Sequence, residues 1–158
     1  MRRKEPMSAR EALLRLRDMC DRGEYCTGEL HEKMLKWGLA GTDRDKIIGT
    51  LENAGLVDDA RFARAFAHTK AVNSHWGRLK IKVWLKKKRV ESSVISEALD
   101  SIDDEEYMDC LRQVLRSKHR QLGEEADSYE GRTKIFRNAV GKGYEPSVVS
   151  ALIKARDY

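Results

Sequence analysis

Gly77-Arg78-Leu79-Lys80-Ile81 returns 54 residues later as Gly131-Arg132-Thr133-Lys134-Ile135, with one change. The echo continues at the same offset: Glu91, Val94 and Ser96 match Glu145, Val148 and Ser150, and Ile95 faces Val149. A fixed-period repeat of this length means that one supersecondary unit is used several times and stacked on its neighbours. The chain must be read as an array, with function on a surface that the units share. Of its 158 residues 41% are apolar and 36% are charged. Each unit therefore buries a thin core, and the whole should be extended rather than round.

The units are helical. Alternating β-branched runs bounded by tight turns do not occur. Ser8 and Glu11 form a capping box that opens a first helix, with Ala9, Leu13, Leu16 and Cys20 on one face and Gly23 at its end. A second helix runs from about Thr27 to Trp37 with Leu30 and Met34 inward, and stops at Gly38. A third starts near Thr42 or Asp43, buries Ile47, Ile48 and Leu51, and stops at Gly55. The next unit opens on Asp58-Asp59, an N-cap and a first-turn acid. Its helices bury Phe62, Ala63, Phe66 and Ala67, then Ile81, Trp84 and Leu85 beside Lys88, then Val94, Ile95, Ala98 and Leu99. The last unit follows with Tyr107, Leu111, Val114 and Leu115, then Ile135, Phe136 and Ala139. Its final helix starts at Pro146, a favoured first helical residue, and carries Val148, Val149, Leu152 and Ile153.

This predicts an all-α fold of three tandem three-helix repeats in an elongated array, present as a monomer. Residues 1–7 form a basic tail, and the repeats span 8–56, 57–101 and 102–158. Aligning Leu30 and Met34 with Ile81 and Leu85 sets Gly38 opposite Arg89 and Gly143, with a loop about four residues longer before the third helix. Gly123 to Ser128, polar and acidic, is expected to be a flexible loop.

Several classes are excluded. Three cysteines (Cys20, Cys26, Cys110) without CxxC spacing fit neither a disulfide framework nor a zinc finger, and suit reduced thiols in the cytoplasm. The first residues lack the apolar stretch of a signal peptide, and no segment approaches the ~18 apolar residues of a membrane span. His31, His68, His75 and His119 have no ligand spacing. Asp58 and Asp59 are adjacent, so they do not share a helix face, and capping explains them better than metal binding. No catalytic group, metal site or cofactor is expected, and the chain is not expected to be an enzyme.

Charge placement is more telling than the net charge of +5. From Trp76 to Val90 there are basic residues and no acid, and Asp100 to Glu106 then carries acids and no base. With Ile81, Trp84 and Leu85 inward, Arg78, Lys80, Lys82, Lys86, Lys87 and Arg89 surround the exposed side of that helix. Charge runs usually keep a helix solvated, but an unbroken single-sign cluster also matches a nucleic-acid footprint. Arg132, Lys134, Arg137 and Lys142 put a weaker version on the matching helix of the next repeat. Neither helix is rich in the Asn and Gln that help read base edges, so contact with single- or double-stranded DNA would be backbone-directed and sequence-independent. Trp76, just ahead of the basic helix, is a candidate for stacking on a base.

These residues carry a resemblance. Gly55-Leu56-Val57-Asp58-Asp59-Ala60-Arg61-Phe62-Ala63, followed by Gly77-x-x-Lys80-Ile81-x-x-x-Leu85, resembles the central motif of the RecX family. Glu29-Leu30-x-x-Lys33-Met34-x-x-Trp37-Gly38 is similar to that family's first-repeat motif, and the likeness spans about residues 8 to 156. It implies a non-enzymatic protein of three tandem three-helix units in a curved array. Such a protein binds the RecA recombinase filament on DNA and restrains strand exchange, ATP hydrolysis and SOS co-protease activity. Two positions depart from the family pattern. Cys26 stands where a serine usually caps the second helix, leaving Thr27 or the backbone to substitute, and Arg89 stands where glycine is expected. The competing reading is a helix-turn-helix transcription regulator, which needs one recognition helix and a dimer, whereas here the basic helix recurs within one chain. An RNA-binding helical array is a third.

Overall fold

The structure is a computed structural model that describes residues 5–158. The Arg2-Arg3-Lys4 part of the expected tail lies outside the described residues. Met7 is not tail-like: its N–H donates to the Trp37 carbonyl at 3.1 Å, and its side chain packs on the first repeat's core.

Among the described residues the chain forms nine α-helices and no strand. Repeat 1 is α1 (Ala9–Arg22), α2 (Thr27–Lys36) and α3 (Gly41–Asn53). Repeat 2 is α4 (Asp59–Val72), α5 (Arg78–Lys87) and α6 (Ser92–Asp100). Repeat 3 is α7 (Asp104–Leu122), α8 (Tyr129–Gly141) and α9 (Pro146–Ala155). Ser8 and Asp58 cap α1 and α4 as the sequence suggests, each accepting an N–H from three residues on.

The period is most regular at the turn between the second and third helices. Trp37–Ala40, Lys88–Glu91 and Lys142–Glu145 are all four residues long, so the longer loop expected in repeat 1 is absent. The reason is that α3 begins at Gly41, ahead of the polar residues that suggested a later start. In each turn a residue at positive φ ends the helix: Gly38 at 82°, Arg89 at 60° and Gly143 at 95°. The next residue is buried (Leu39, Val90, Tyr144) and donates its N–H back to Met34, Leu85 or Ala139, five residues earlier. This is the Schellman arrangement, in which a left-handed residue and a following apolar one close a helix.

Two apolar cores result. One lies within repeat 1 and includes Leu16, Leu30, Met34, Ile48 and Leu51. The other runs through repeats 2 and 3, from Phe62 to Leu152, and takes in Cys26 at the start of α2. On α1 the buried stripe is Ala12 and Leu16, with Ala9 exposed, a rotation from the expected face. On α5 Ile81 and Leu85 are buried but Trp84 is 41% exposed, so it is not the core residue that its spacing suggested.

The junctions between repeats follow one plan. The start of a second helix rests on the next repeat's inter-helix turn. Cys26 Sγ donates to the Lys88 carbonyl at 3.6 Å, while Gly77 and Leu79 donate N–H groups to the Lys142 and Gly143 carbonyls at 2.8 and 3.1 Å. A Cβ on Gly77 would fall 2.1 Å from the Gly143 carbonyl carbon, so only glycine fits. The residues expected to form a flexible loop are instead a 3-10 turn, Gly123–Asp127, with Ala126 buried. Its backbone lies against Gly131, the counterpart of Gly77. In repeat 3 this segment lies against the helix start that in repeats 1 and 2 rests on the next repeat's turn. The accessible surface of 10158 Å² exceeds the about 8,100 Å² expected for a compact monomer of this mass, as an array in a row requires.

Candidate nucleic-acid and partner interface

The basic helix α5 is held by its apolar side. Ile81 and Leu85 are fully buried, which leaves Lys82, Lys86, Lys87 and Arg89 exposed. Among the described residues these four make no ion pair within 4.0 Å. Two neighbours behave differently. Lys88 is half-buried and pairs with Glu29 across the first junction. Arg78, placed on the exposed side by sequence, turns inward: its guanidinium pairs with Asp104 at 2.9 Å and lies 4.0 Å from the centre of the Tyr107 ring. Tyr107 accepts the Arg78 N–H at 3.0 Å and donates to Glu145 at 2.7 Å, and burial pushes its phenol well above the usual range. Arg78 is thus committed to the second junction.

Beside this helix runs a row of aromatic rings. Phe66, Trp76 and Trp84 follow one another with centroids 6.4 and 5.8 Å apart. Lys70 and Lys80 sit 4.7 and 4.3 Å from the Trp76 ring, and Lys87 sits 4.9 Å from Trp84. Trp76 is half-buried, and Trp84 presents the free end of the row. Aromatic faces next to lysines form the arrangement that stacks unpaired bases while phosphates are neutralised. The repeat register held the clue to Trp84: its counterparts 51 residues before and 54 after are Lys33 and Asn138, both surface types.

The basic residues of repeat 3 have three different surroundings. Lys134 pairs with Glu125 on the 3-10 turn. Arg132 and Arg137 line a groove of about 640 Å³ between α8 and α9. Lys142 lines another, of about 580 Å³, with His75, Arg116, Lys118, Arg120 and Asn138. The α7 contribution was missed, although the signal was present: no acid occurs between Cys110 and Gly123, while Arg112, Arg116, Lys118 and Arg120 do.

Asp58 and Asp59, weighed as capping residues, divide the work. Asp58 caps α4. Asp59 instead accepts the Thr27 backbone N–H at 2.7 Å and its hydroxyl at 2.6 Å, latching repeat 1 to repeat 2. Cys26, at the cap of α2, has its N–H taken by Glu29 at 3.2 Å. Burial pushes its thiol up to about 11. All three cysteines are free thiols. Among the described residues no cluster of His, Cys, Asp or Glu could hold a metal ion, and no helix is long and apolar enough to cross a membrane.

The repeat that carries both the aromatic row and the lysine cluster is also the part matched by a family model. Residues 58–99, which are α4 to α6, match the model for the second three-helix domain of RecX. The regulatory protein RecX of Mycolicibacterium smegmatis is 30% identical over 125 residues, covering 76% of this chain. The chain belongs to the RecX family. The regulatory protein RecX of Clostridium acetobutylicum is 29% identical over 113 residues, 70% of this chain. The chain spans 65% and 52% of the lengths of these two relatives. The crystal structure of RecX from Lactobacillus salivarius superposes with a TM-score of 0.84, covering 94% of this chain and 96% of that one at 19% identity. That likeness establishes a shared RecX fold of tandem three-helix repeats.

Proposed function

We propose that this chain binds the RecA recombinase filament on DNA and restrains its strand exchange, ATP hydrolysis and co-protease activity, acting as a binding protein rather than an enzyme. The observation that carries the reading is the exposed group of Lys82, Lys86 and Lys87 on α5 and Arg89 in the turn after it, without an ion-pair partner among the described residues and beside the Trp76–Trp84 row. An array with such a helix can lie along a filament, with cations on phosphates and rings against unpaired bases. Contacts of this kind position a protein on nucleic acid without reading sequence. The protein acts as a monomer, with its remaining surface against RecA.

The test is RecA-dependent ATP hydrolysis on single-stranded DNA titrated with the purified chain, together with capture from a lysate of the source cell. Inhibition at substoichiometric or equimolar ratios, with RecA as the captured protein, supports the reading. A discrete protected operator in a footprint on genomic DNA, with ATP hydrolysis unaffected, would overturn it.

A further inference from the structure

The latch between repeats is made at both junctions, and the residue position that makes it recurs once more in repeat 3. At the first junction Thr27, the first residue of α2, binds the carboxylate of Asp59, the first residue of α4. At the second junction Arg78, the first residue of α5, binds Asp104, the first residue of α7, and covers the Tyr107 ring. Each receiving helix carries Asp at its first position and an aromatic residue three positions on, Phe62 or Tyr107. By the 54-residue spacing Arg132 of α8 is the third member of this series. It is exposed and has no carboxylate partner among the described residues.

The surface around Arg132 repeats the surface around Arg78. Arg78, Lys82, Ser96, Leu99 and Asp100 line a groove of about 280 Å³ in repeat 2. At the matching positions Arg132, Phe136, Ser150, Ile153 and Lys154 line the larger groove of about 640 Å³ in repeat 3. Here Phe136 replaces a lysine and Lys154 replaces an aspartate, Tyr129 stands 80% exposed at the edge, and no acid lines the groove. The face has become more aromatic and more positive than its template.

We infer that the outer face of repeat 3 docks the N-terminal turn of a helix from a protein partner, with Asp at its first position and Phe or Tyr three residues later. The occupant is fixed by the second junction, which shows what an arginine at this position accepts, by the helix-opening Asp that both junctions share, and by the charge of the groove. A second copy does not qualify: at the corresponding positions α1 carries Ala9 and Ala12, with neither acid nor ring. The inference is independent of whether the filament is the chain's partner.

The probe is an acetylated, alanine-rich helical peptide opening with the Asp103–Leu111 sequence, titrated by fluorescence anisotropy against the full chain. Saturable binding is expected. It should weaken about tenfold or more with Arg132→Glu in the chain or with Asp104→Lys in the peptide, and recover when the two are combined. Arg132 is exposed, so circular dichroism of the variant should match that of the unaltered chain. No saturable binding, or binding indifferent to both changes, overturns the inference. So does an oligothymidine that loses affinity with Arg132→Glu while the peptide never binds, which would make the face a nucleic-acid site. A dimer in sedimentation that Arg132→Glu dissolves would assign it to a second copy instead.

Discussion

Arg89 occupies a left-handed position, φ 60°, where the other two repeats use glycine. A β-carbon there costs about 1–2 kcal/mol, offset in part by the smaller unfolded-state entropy of a non-glycine residue. Arg89→Gly should therefore raise stability in a urea melt by about 0.5–1 kcal/mol while weakening DNA binding, because it removes an exposed cation next to the basic helix. A loss of stability would mean that the side chain contributes packing. Cys26 makes a second residue-scale test. Its folded-state value, raised by burial to about 11, lies above the usual 9.0. The burial is therefore favourable at neutral pH, and stability should decline between about pH 9 and 11 by roughly 2 kcal/mol. Cys26→Ser should flatten that slope. At this scale the sequence was legible where a residue's role is local, as with the caps Ser8 and Asp58. It was not legible for Asp59 or Arg78, whose partners lie 32 and 26 residues away across a junction. Trp84 was misplaced because helical spacing marks a side of the helix and not what covers that side.

Helix order and most of the buried stripes, that of α1 excepted, could be read from period and punctuation, since Gly, Pro and acidic caps act within a turn of themselves. The 3-10 turn at Gly123–Asp127 could not, because its order comes from packing against Gly131 and not from its own composition. Junction geometry yields a contrast between two glycines. A Cβ on Gly77 would overlap the Gly143–Tyr144 backbone, whereas one on Gly49, in the middle of α3, meets nothing within 4 Å. Gly77→Ala should cost about 2 kcal/mol or more in a thermal or urea melt, as overpacking against backbone does. Gly49→Ala should add about 0.5–1 kcal/mol through helix propensity alone. Equal effects at the two sites would contradict the stacking of α5 on the α8–α9 turn.

Across the whole molecule, one core lies within repeat 1 and another runs through repeats 2 and 3, reaching Cys26 of repeat 1, and polar latches span the junctions. The fold class followed from the 54-residue echo. The grooves of repeat 3 did not, because their linings come from helices that only packing brings together. The proposed function rests on the α5 face engaging DNA within the filament, and the salt dependence of binding tests that most directly. Lys86 and Lys87 are exposed and outside every junction. Lys86→Ala with Lys87→Ala should leave the fold intact and reduce the magnitude of the log-affinity against log-salt slope by about 1.4 on single strands or about 1.8 on duplex. Inhibition of RecA ATP hydrolysis should weaken in parallel and on every DNA sequence alike. An unchanged slope with unchanged inhibition in the folded double variant would contradict the account.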